Sequence, residues 1–419
     1  MVSCSYRQPE EKPTAATSSL ARRRMGVIVS TTLLWGMFSS GAEVLLPLWV
    51  SGELGLSADQ WAHLRSLRMI GVLVGILPLG VLTERYGDRL LGAICMALIA
   101  VVLVAWSMGE SLGLWVGMPI YGALVSAAFV NMNTLTQRIS DARQGLANSI
   151  YRSVYACAAI FAPVIVTRLA KAWHGYPPVL YTLAGALVVG AVVLMQYPDH
   201  RLPARTVGAW GACRDMWVSY RQACRNRDLM RMILVTQFWF AAVAAVGTFA
   251  AIRFTQELGV SDGRFGEYGA ASGLLTLLGV ICSGFLLDRV SIRKFSIVCA
   301  MGAAACCLVM GLGDSVAVSA VAFILHGPLH MMLSSPVSMW VSRSAGDTSQ
   351  TSAFSMHKVV TAAFLAASVA LLGLLESRYG MRTLLLGSGV LGVAVAASFG
   401  LLREPPRPKL QRAAQLPAG

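Results

Sequence analysis

The sequence predicts an all-α integral membrane protein of about twelve transmembrane helices, and three observations support this fold class. Of the 419 residues, 56% are hydrophobic and only 13% are charged, whereas a soluble domain carries about 25% charged residues. The apolar residues fall in blocks that can cross the hydrocarbon core, which takes about 20 residues of helix. The blocks form two sets of six around the polar stretch 198–229. Helices are expected because lipid cannot satisfy open backbone groups and the blocks are too long for barrel strands.

The elements can be placed in order along the chain. Helices are expected near 27–50, 62–83, 90–108, 113–136, 145–168 and 177–197, and then near 230–253, 265–287, 292–312, 315–341, 352–375 and 382–402. The domains that follow are a disordered N-terminal tail (1–24), a six-helix bundle (25–197), a linker (198–229), a second six-helix bundle (230–402) and a C-terminal tail (403–419). The first block is not a signal peptide, because it is too long and ends at Pro47-Leu48-Trp49 without a small-residue cleavage site.

Positive charge is distributed unequally between the two ends of the expected helices. With the N-terminus inside, 24 of the 34 Lys and Arg residues fall in cytoplasmic segments, 7 on the opposite side and 3 within spans. Cytoplasmic loops retain positive charge, so both termini are expected in the cytoplasm. The expected location is the plasma membrane, specifically a bacterial inner membrane. In the linker, Trp210, Trp217, Val218 and Met230 alternate with arginines, which predicts an amphipathic helix on the inner leaflet.

Other classes of function are not supported by the composition. The topology accounts for the net charge of +14, and no basic groove with interleaved aromatic residues predicts a nucleic-acid partner. The nine cysteines show no CxxC pair and no ligand-like spacing; most lie in apolar helices, where cysteine behaves as a small hydrophobe. We therefore expect no disulfide, no metal site and no cofactor. An enzyme would need a paired nucleophile and base or a completed metal site, so no catalytic residues are expected.

One phrase occurs twice in the sequence, half a chain length apart. It reads GVLTERYGDR from Gly80 and GFLLDRVSIRK from Gly284, in each case at the connection between the second and third helices of a six-helix set. Helix ends commonly carry arginines, so one copy alone would indicate little. Two copies at equivalent positions indicate an internal repeat. The pairs at a spacing of 204 are Gly80 with Gly284, Leu82 with Leu286, Glu84 with Asp288 and Arg85 with Arg289.

With this repeat the sequence resembles the major facilitator superfamily of secondary transporters, whose signature in this loop runs Gly-x-Leu-x-Asp-Arg-x-Gly-Arg-Lys. The first copy departs from it at Glu84 and Asp88, and the second at Ser291. The resemblance implies two pseudo-symmetric six-helix bundles around a central cavity, which rock between two states. It also implies that the motif residues latch the cytoplasmic ends of the bundles together in one state. These expected latch residues are Gly80, Glu84, Arg85, Gly87 and Arg89, and Gly284, Asp288, Arg289 and Arg293.

Two patterns that are frequent in exporters of this superfamily are missing. The fifth helix keeps Pro163 but lacks the glycines of the usual Gly-Pro stretch, and the fourth helix has no arginine over 113–130. Both absences weaken an interpretation as a multidrug antiporter without excluding export.

Ionisable side chains within the spans are costly there and mark candidate functional residues. Glu43 and Arg68 each lie about seven residues from the outer end of antiparallel helices 1 and 2, so we expect them to pair at similar depth. The pair is either purely structural, or it serves proton coupling through Glu43 or substrate contact.

Two further cations occupy pseudo-equivalent positions. A shift of 206 residues aligns Arg152 of helix 5 with Lys358 of helix 11, each roughly 10 Å into its helix at a rise of about 1.5 Å per residue. Asn148 and Tyr155 share the face of Arg152 at spacings of four and three. We interpret the two cations as a clamp for an anionic substrate; the alternative is that both snorkel to the cytoplasmic interface.

Helix 10 carries His326 and His330 four residues apart, a spacing that can bind zinc, but no third ligand is evident. The histidines are either buried against neighbouring helices or form a hydrogen-bonding, protonatable wall of the cavity, with His357 of helix 11 nearby. Gln237 and the Phe238-Trp239-Phe240 cluster in helix 7 could supply amide and aromatic contacts, although aromatic residues there more often serve packing.

The sequence therefore predicts a secondary active transporter that moves a small polar, anionic organic solute by alternating access, coupled to protons. The expected partners are this solute, the lipid bilayer and the proton, and the expected oligomeric state is a monomer. The alternatives are a broad-specificity exporter of amphiphilic compounds and a non-transporting membrane scaffold or sensor of the same fold.

Overall fold

The structure is a computed structural model that describes residues 15–108, 111–137, 144–198, 224–344 and 350–404, with scattered positions between 211 and 222. All regular secondary structure in these ranges is helical, which confirms the all-α fold class. The amphipathic helix expected in the linker falls mostly outside the described residues.

The first bundle contains six helices. They are α1 (Ala15–Gly52), α2 (Ala58–Tyr86), α3 (Asp88–Ser107), α4 (Ser111–Gln137), α5 (Gln144–Ala172) and α6 (Pro177–Met195). The disordered tail expected over 1–24 is too long, because α1 already includes residues 15–24. This stretch is rich in Ala, Leu and Arg, which are strong helix formers, so the helix begins before the apolar run.

The second bundle repeats this pattern with three interruptions. Its helices are α7 (Arg227–Ala242), α8 (Ala244–Ile252) with a π-helical turn (Arg253–Glu257), α9 (Asp262–Arg289), α10 (Ile292–Leu312), α11 (Val316–Met332), α12 (Ser334–Ser344) and α13 (Gln350–Ser398). Val243 separates α7 from α8, and Leu333 separates α11 from α12. Within α13, Gly380 has a φ of 74°, where only glycine is unstrained, and it divides this helix into two spans.

Ten helical segments of the described chain are long and apolar enough to cross a bilayer. One of them, Met356–Leu401, contains the break at Gly380 and therefore supplies two spans. The helix α2 is not among them, although its 29 residues reach about 43 Å at 1.5 Å per residue, more than the hydrocarbon thickness of about 30 Å. Counted by length, the described helices supply twelve segments that can reach across a bilayer, in two sets of six.

Helix packing separates the two bundles and also joins them. In the first bundle, α1 packs on α5 and α6, α2 packs on α4, and α3 packs on α4 and α6. Small residues permit close approach: a Cβ at Gly71 of α2 would lie 1.9 Å from the Pro119 carbonyl oxygen of α4. In the second bundle, α10 packs on α11 and α13, and α9 packs on α11. Between the bundles, α2 packs on α13 and α5 packs on α9.

The molecule has two ends, which we name the terminal face, where the first and last described residues lie, and the opposite face, which carries turns 53–57 and 258–261. The bundles contact each other in the half near the opposite face. There the Trp61 indole Nε1 donates to the Thr248 carbonyl oxygen at 3.0 Å, and the Ser66 hydroxyl donates to the Ala366 carbonyl oxygen at 2.7 Å.

The bundles also contact each other near the opposite face through α5, α6 and α9. At the start of α6 the Tyr176 hydroxyl donates to the Asp262 carboxylate of α9, and Arg168 of α5 lies 3.8 Å from the Glu267 carboxylate. The Glu53 carboxylate accepts from the Tyr176 backbone N–H at 2.8 Å, which holds the turn after α1 against this contact. The opposite face is therefore closed in this structure by polar contacts between the bundles.

Candidate functional site

A charged cluster forms inside the first bundle, between α1 and α2. The Arg68 guanidinium lies 2.6 Å from the Glu43 carboxylate, so the ion pair expected from the sequence is present. Arg65, one helical turn earlier on the same face of α2, reaches the same carboxylate at 4.0 Å. The Glu43 side chain is 43% exposed although it lies in a span, which means that it faces an open space inside the protein.

Close packing of α2 on α4 orients Arg68. A Cβ at Gly122 would lie 2.0 Å from the Arg68 carbonyl oxygen, so only glycine permits this contact. The neighbouring Tyr121 presents its ring 5.2 Å from the Arg68 guanidinium, a cation–π distance. Arg68 is thus held by a carboxylate on one side and an aromatic face on the other.

The same cavity wall continues onto α5. The Tyr155 hydroxyl forms a hydrogen bond of 3.1 Å with the Ser39 hydroxyl of α1. The helices meet closely here, since a Cβ at Gly36 would lie 2.7 Å from the Ala158 Cβ. Tyr155 is therefore part of the wall shared by α1 and α5, one turn of helix from Arg152.

Arg152 and Lys358 lie on different bundles, in α5 and in the first span of α13. Lys358 is exposed, yet its Nζ lies 5.6 Å from the ring centroid of Phe129 on α4, across the bundle interface. Among the described residues, no carboxylate lies within 4.0 Å of either cation. The side chain of Asn148, expected on the same face, lies outside the described residues.

The second bundle contributes a neutral polar pair. The Gln237 side-chain nitrogen lies 3.0 Å from His357 Nε2, and both residues are buried. An amide nitrogen only donates, so His357 Nε2 is the acceptor and its ring proton is on Nδ1. The Gln237 side-chain oxygen has no hydrogen-bond partner among the described residues. This wall therefore carries hydrogen-bonding capacity without net charge.

The two histidines of α11 face different neighbours. His326 lies with its Nδ1 3.1 Å from the Ala303 carbonyl oxygen of α10, a contact in which the ring donates. His330 packs between the rings of Trp239 and Phe240, with centroid distances of 5.3 and 5.2 Å. For His326 this geometry favours burial against a neighbouring helix. His330 instead completes an aromatic cluster with α7. Within the described part of the chain, no group of three His, Cys, Asp or Glu residues could hold a metal ion.

A family model covers most of the chain. The family model described as Major Facilitator Superfamily matches residues 28–369. The chain belongs to the Major Facilitator Superfamily. Its family and fold are those of a transporter, not of an enzyme.

Solved structures share the fold at low sequence identity. A mutant of the nucleoside transporter NupG matches with a TM-score of 0.77 at 13% identity, over 90% of this chain and 99% of that one. A POT family transporter in complex with 5-aminolevulinic acid matches with a TM-score of 0.74 at 12% identity, over 90% and 95%. A D-xylose-proton symporter matches with a TM-score of 0.72 at 14% identity, over 92% and 98%. No curated protein matches the chain.

The superfamily motif lies at the terminal face, where the sequence predicted latch residues. Gly80 and Gly284 lie in α2 and α9, and Gly87 adopts a φ of 87° in the turn between α2 and α3. Arg89 donates to the Tyr197 carbonyl oxygen at 3.0 Å, a contact within the first bundle. Arg289 is exposed and Arg293 lines a pocket of the second bundle. The side chains of Glu84, Arg85 and Asp288 lie outside the described residues.

Sequence reasoning missed two members of the charged cluster. Arg65 is one of the seven Lys and Arg residues expected on the side opposite the cytoplasm, although its spacing of three from Arg68 places both on one face of α2. It also borders the second bundle, since a Cβ at Gly247 of α8 would lie 3.0 Å from its guanidinium. Tyr121 gave no signal of its own, because a tyrosine in an apolar helix is most often a packing residue.

Proposed function

We propose that this member of the superfamily is a proton-coupled secondary transporter of a small anionic organic solute. The observation that carries the proposal is that Arg152 and Lys358 lie in spans of opposite bundles, each without a carboxylate partner among the described residues, and that Lys358 reaches Phe129 of the first bundle. We further propose that the terminal face is cytoplasmic, because most of the Lys and Arg residues lie there.

The charge argument rests on the cost of an unpaired cation in a span. Even the mild insertion scale assigns Lys or Arg about 2.5–3.5 kcal/mol at the centre of a membrane helix. Here two such cations lie in spans of opposite bundles. An anion placed between Arg152 and Lys358 removes both penalties, and it links the two bundles through one molecule. Such a link is what a substrate must provide to bias a rocking motion.

The organic part of the solute would face the second bundle. The buried Gln237 side chain holds His357 in this bundle by a neutral hydrogen bond of 3.0 Å. Trp239, Phe240 and His330 form an aromatic cluster in the same bundle. Together these residues suit a solute that carries hydrogen-bonding groups and some apolar surface besides its negative group.

Glu43 is the proposed proton carrier. It is a carboxylate in a span that faces open space, and its charge is balanced by Arg68 at 2.6 Å and Arg65 at 4.0 Å. Protonation would neutralise Glu43 and release both guanidinium groups, one of which contacts the second bundle at Gly247. A proton would thereby change the contacts between bundles. The similar xylose carrier is named a proton symporter, which is in keeping with this proposal.

The proposal is tested by uptake into proteoliposomes of labelled carboxylates and organophosphates, with and without an inward proton gradient. The wild-type protein should accumulate an anion only with the gradient. Arg152→Gln and Lys358→Gln should each weaken its apparent affinity by about tenfold or more, since a charge-assisted contact contributes about 1.5–3 kcal/mol. Arg264→Gln removes the same charge from an exposed position of α9 and serves as the control.

Two results would contradict this function. Wild-type rates in both variants would mean that the cations only snorkel to the interface. A cationic or neutral compound as the best substrate would refute the charge argument itself.

A further inference from the structure

A pocket of about 410 Å³ opens at the terminal face of the second bundle, away from the space between the bundles. Three arginines line it: Arg231 from α7, Arg293 from α10 and Arg403 from the segment after α13. Among the described residues of its lining, Asp228 is the one acid. Met232, Trp340, Leu401 and Leu402 complete the lining with apolar surface.

The arginines of this pocket are not neutralised by the surrounding chain. Among the described residues, none of the three lies within 4.0 Å of a carboxylate. Arg231 and Arg403 are exposed, whereas Met232 and Trp340 are only 1% exposed. The pocket therefore presents three guanidinium groups around a rigid, apolar floor.

The chain after α13 is fixed in place beside α10. The Glu404 carboxylate accepts from the Ser291 hydroxyl at 2.6 Å and from the Ile292 backbone N–H at 3.0 Å. These bonds cap the start of α10 and tie residues 401–404 to it. Arg403 is thereby held next to Arg293, so the cluster is built by a specific fold of the chain end.

The equivalent place in the first bundle is filled. Arg89, which precedes Arg293 by 204 residues, donates to the Tyr197 carbonyl oxygen at 3.0 Å. Arg24 donates to the Pro198 carbonyl oxygen at 3.2 Å and lies 5.8 Å from the Tyr197 ring centroid. Tyr197 itself is only 2% exposed. In the first bundle, Arg89 and Arg24 thus donate to backbone carbonyl oxygens around a buried aromatic ring.

Where the first bundle ends at Tyr197, the second bundle ends at the buried Leu402. Leucine is shorter than tyrosine and has no hydroxyl, and the arginines around it have no carboxylate partner among the described residues. The two copies of the repeat thus place their equivalent arginines, Arg89 and Arg293, in different surroundings.

We propose that this pocket binds a phosphate group, either of an anionic phospholipid or of a soluble phosphate. Guanidinium groups present N–H donors in a fixed fork that matches phosphate oxygens, and three of them can surround one tetrahedral anion. Basic pockets at this depth are suited to lipid headgroups, and Leu401, Leu402 and Met232 offer apolar contact to the adjoining glycerol and acyl region.

The test compares two double variants of the full-length protein that lose the same charge. Arg231→Gln with Arg293→Gln changes the pocket, whereas Arg225→Gln with Arg227→Gln changes exposed arginines at the same face outside it. Phosphatidylglycerol and phosphatidylcholine are titrated onto the detergent-solubilised protein, and bound lipid is counted by native mass spectrometry. Phosphatidylglycerol should bind the pocket variant at least about tenfold more weakly than the wild type and the control variant.

A second variant avoids the removal of charge. Leu402→Tyr should fill the pocket as Tyr197 fills its equivalent, and it should lower phosphatidylglycerol binding while all three arginines remain. The unfolding temperature in phosphatidylcholine alone should match the wild type for every variant, which verifies folding.

A parallel titration with inorganic phosphate distinguishes a phospholipid from a soluble phosphate as the occupant of the pocket. Stabilisation of the wild type by inorganic phosphate, lost in the pocket variants, supports the site with a soluble occupant. Selective loss of phosphatidylglycerol binding, without an effect of inorganic phosphate, supports it with a lipid occupant. Equal binding of both probes to pocket and control variants would overturn the proposal.

Discussion

The two bundles share their helix packing but differ in the chemistry of their inner walls. The first bundle holds a carboxylate between two arginines, Glu43 with Arg68 and Arg65. The second holds a neutral pair, Gln237 with His357, beside aromatic rings. A charge pair can be switched by one proton, whereas an amide–imidazole pair presents fixed donors and acceptors. The difference suggests that proton coupling and recognition of the organic group are divided between the repeats.

The two bundles also differ at the terminal face, in the contacts that their arginines make. In the first bundle Arg24 and Arg89 donate to backbone carbonyl oxygens around Tyr197. In the second bundle Arg293 lines an open pocket with Arg231 and Arg403. The repeat therefore preserves one arginine at this end, Arg89 in the first bundle and Arg293 in the second, but places it in two different surroundings.

The largest effect is expected from Arg68→Gln in the first bundle. This change leaves Glu43 with Arg65 alone, at 4.0 Å instead of 2.6 Å. Gradient-driven uptake should fall by about tenfold or more, since each tenfold step corresponds to only about 1.4 kcal/mol. Arg65→Gln is the matched control in the same helix and should have a smaller effect because its contact is longer. An equal or greater loss in Arg65→Gln would reverse the order of the two arginines.

Exchange of the two charges separates a structural pair from a proton carrier. In the double variant Glu43→Arg with Arg68→Glu the opposite charges still meet, so folding and solute exchange should largely recover from either single change. Gradient-driven accumulation should remain lost, because the carboxylate has moved to α2. The measurement is counterflow and driven uptake in the same proteoliposomes. Recovery of driven uptake would remove Glu43 from the proton pathway and would weaken the division of roles between bundles.

Most of the fold could be predicted from the sequence, and a part of the site could not. Long apolar blocks and the motif repeated from Gly80 and Gly284 determine the number and order of spans, because the bilayer imposes the length of each helix. The Glu43–Arg68 pair was predictable from equal depth on antiparallel helices. Tyr121 was not, because its place beside Arg68 depends on the close packing of α2 on α4 at Gly122. The pocket at Arg293 depends on how the chain end folds back, which no local pattern encodes.

A moderate effect is expected from a change in the polar contacts that close the opposite face. Tyr176→Phe removes the hydroxyl that donates to the Asp262 carboxylate at the opposite face. One hydrogen bond to a charged group is worth about 1.5–3 kcal/mol, so the equilibrium should shift by about tenfold or more toward states that open this face. Spin labels at the exposed positions Ser57 and Ser261, one on each bundle, report the separation.

The control for this variant is Tyr181→Phe, which removes a hydroxyl from an exposed tyrosine of α6. The label distances in the control should match the wild type. A Tyr176→Phe distribution that also matches the wild type would mean that contacts such as Trp61 with Thr248 suffice to close this face.

The smallest effect is expected from Gln237→Leu in the second bundle, and it is the sharpest test of the comparison. The change removes one neutral hydrogen bond to His357 in a buried place, which costs about 1 kcal/mol in stability. The unfolding temperature should fall by a few degrees at most, in line with a loss of this size. Apparent affinity for the solute should fall, because His357 loses the buried amide that orients its ring, while the ratio of driven uptake to exchange should stay at the wild-type value. That ratio is the decisive measurement. If Gln237→Leu lowers it as Arg68→Gln does, then His357 takes part in proton coupling and the two bundles do not divide the work as proposed.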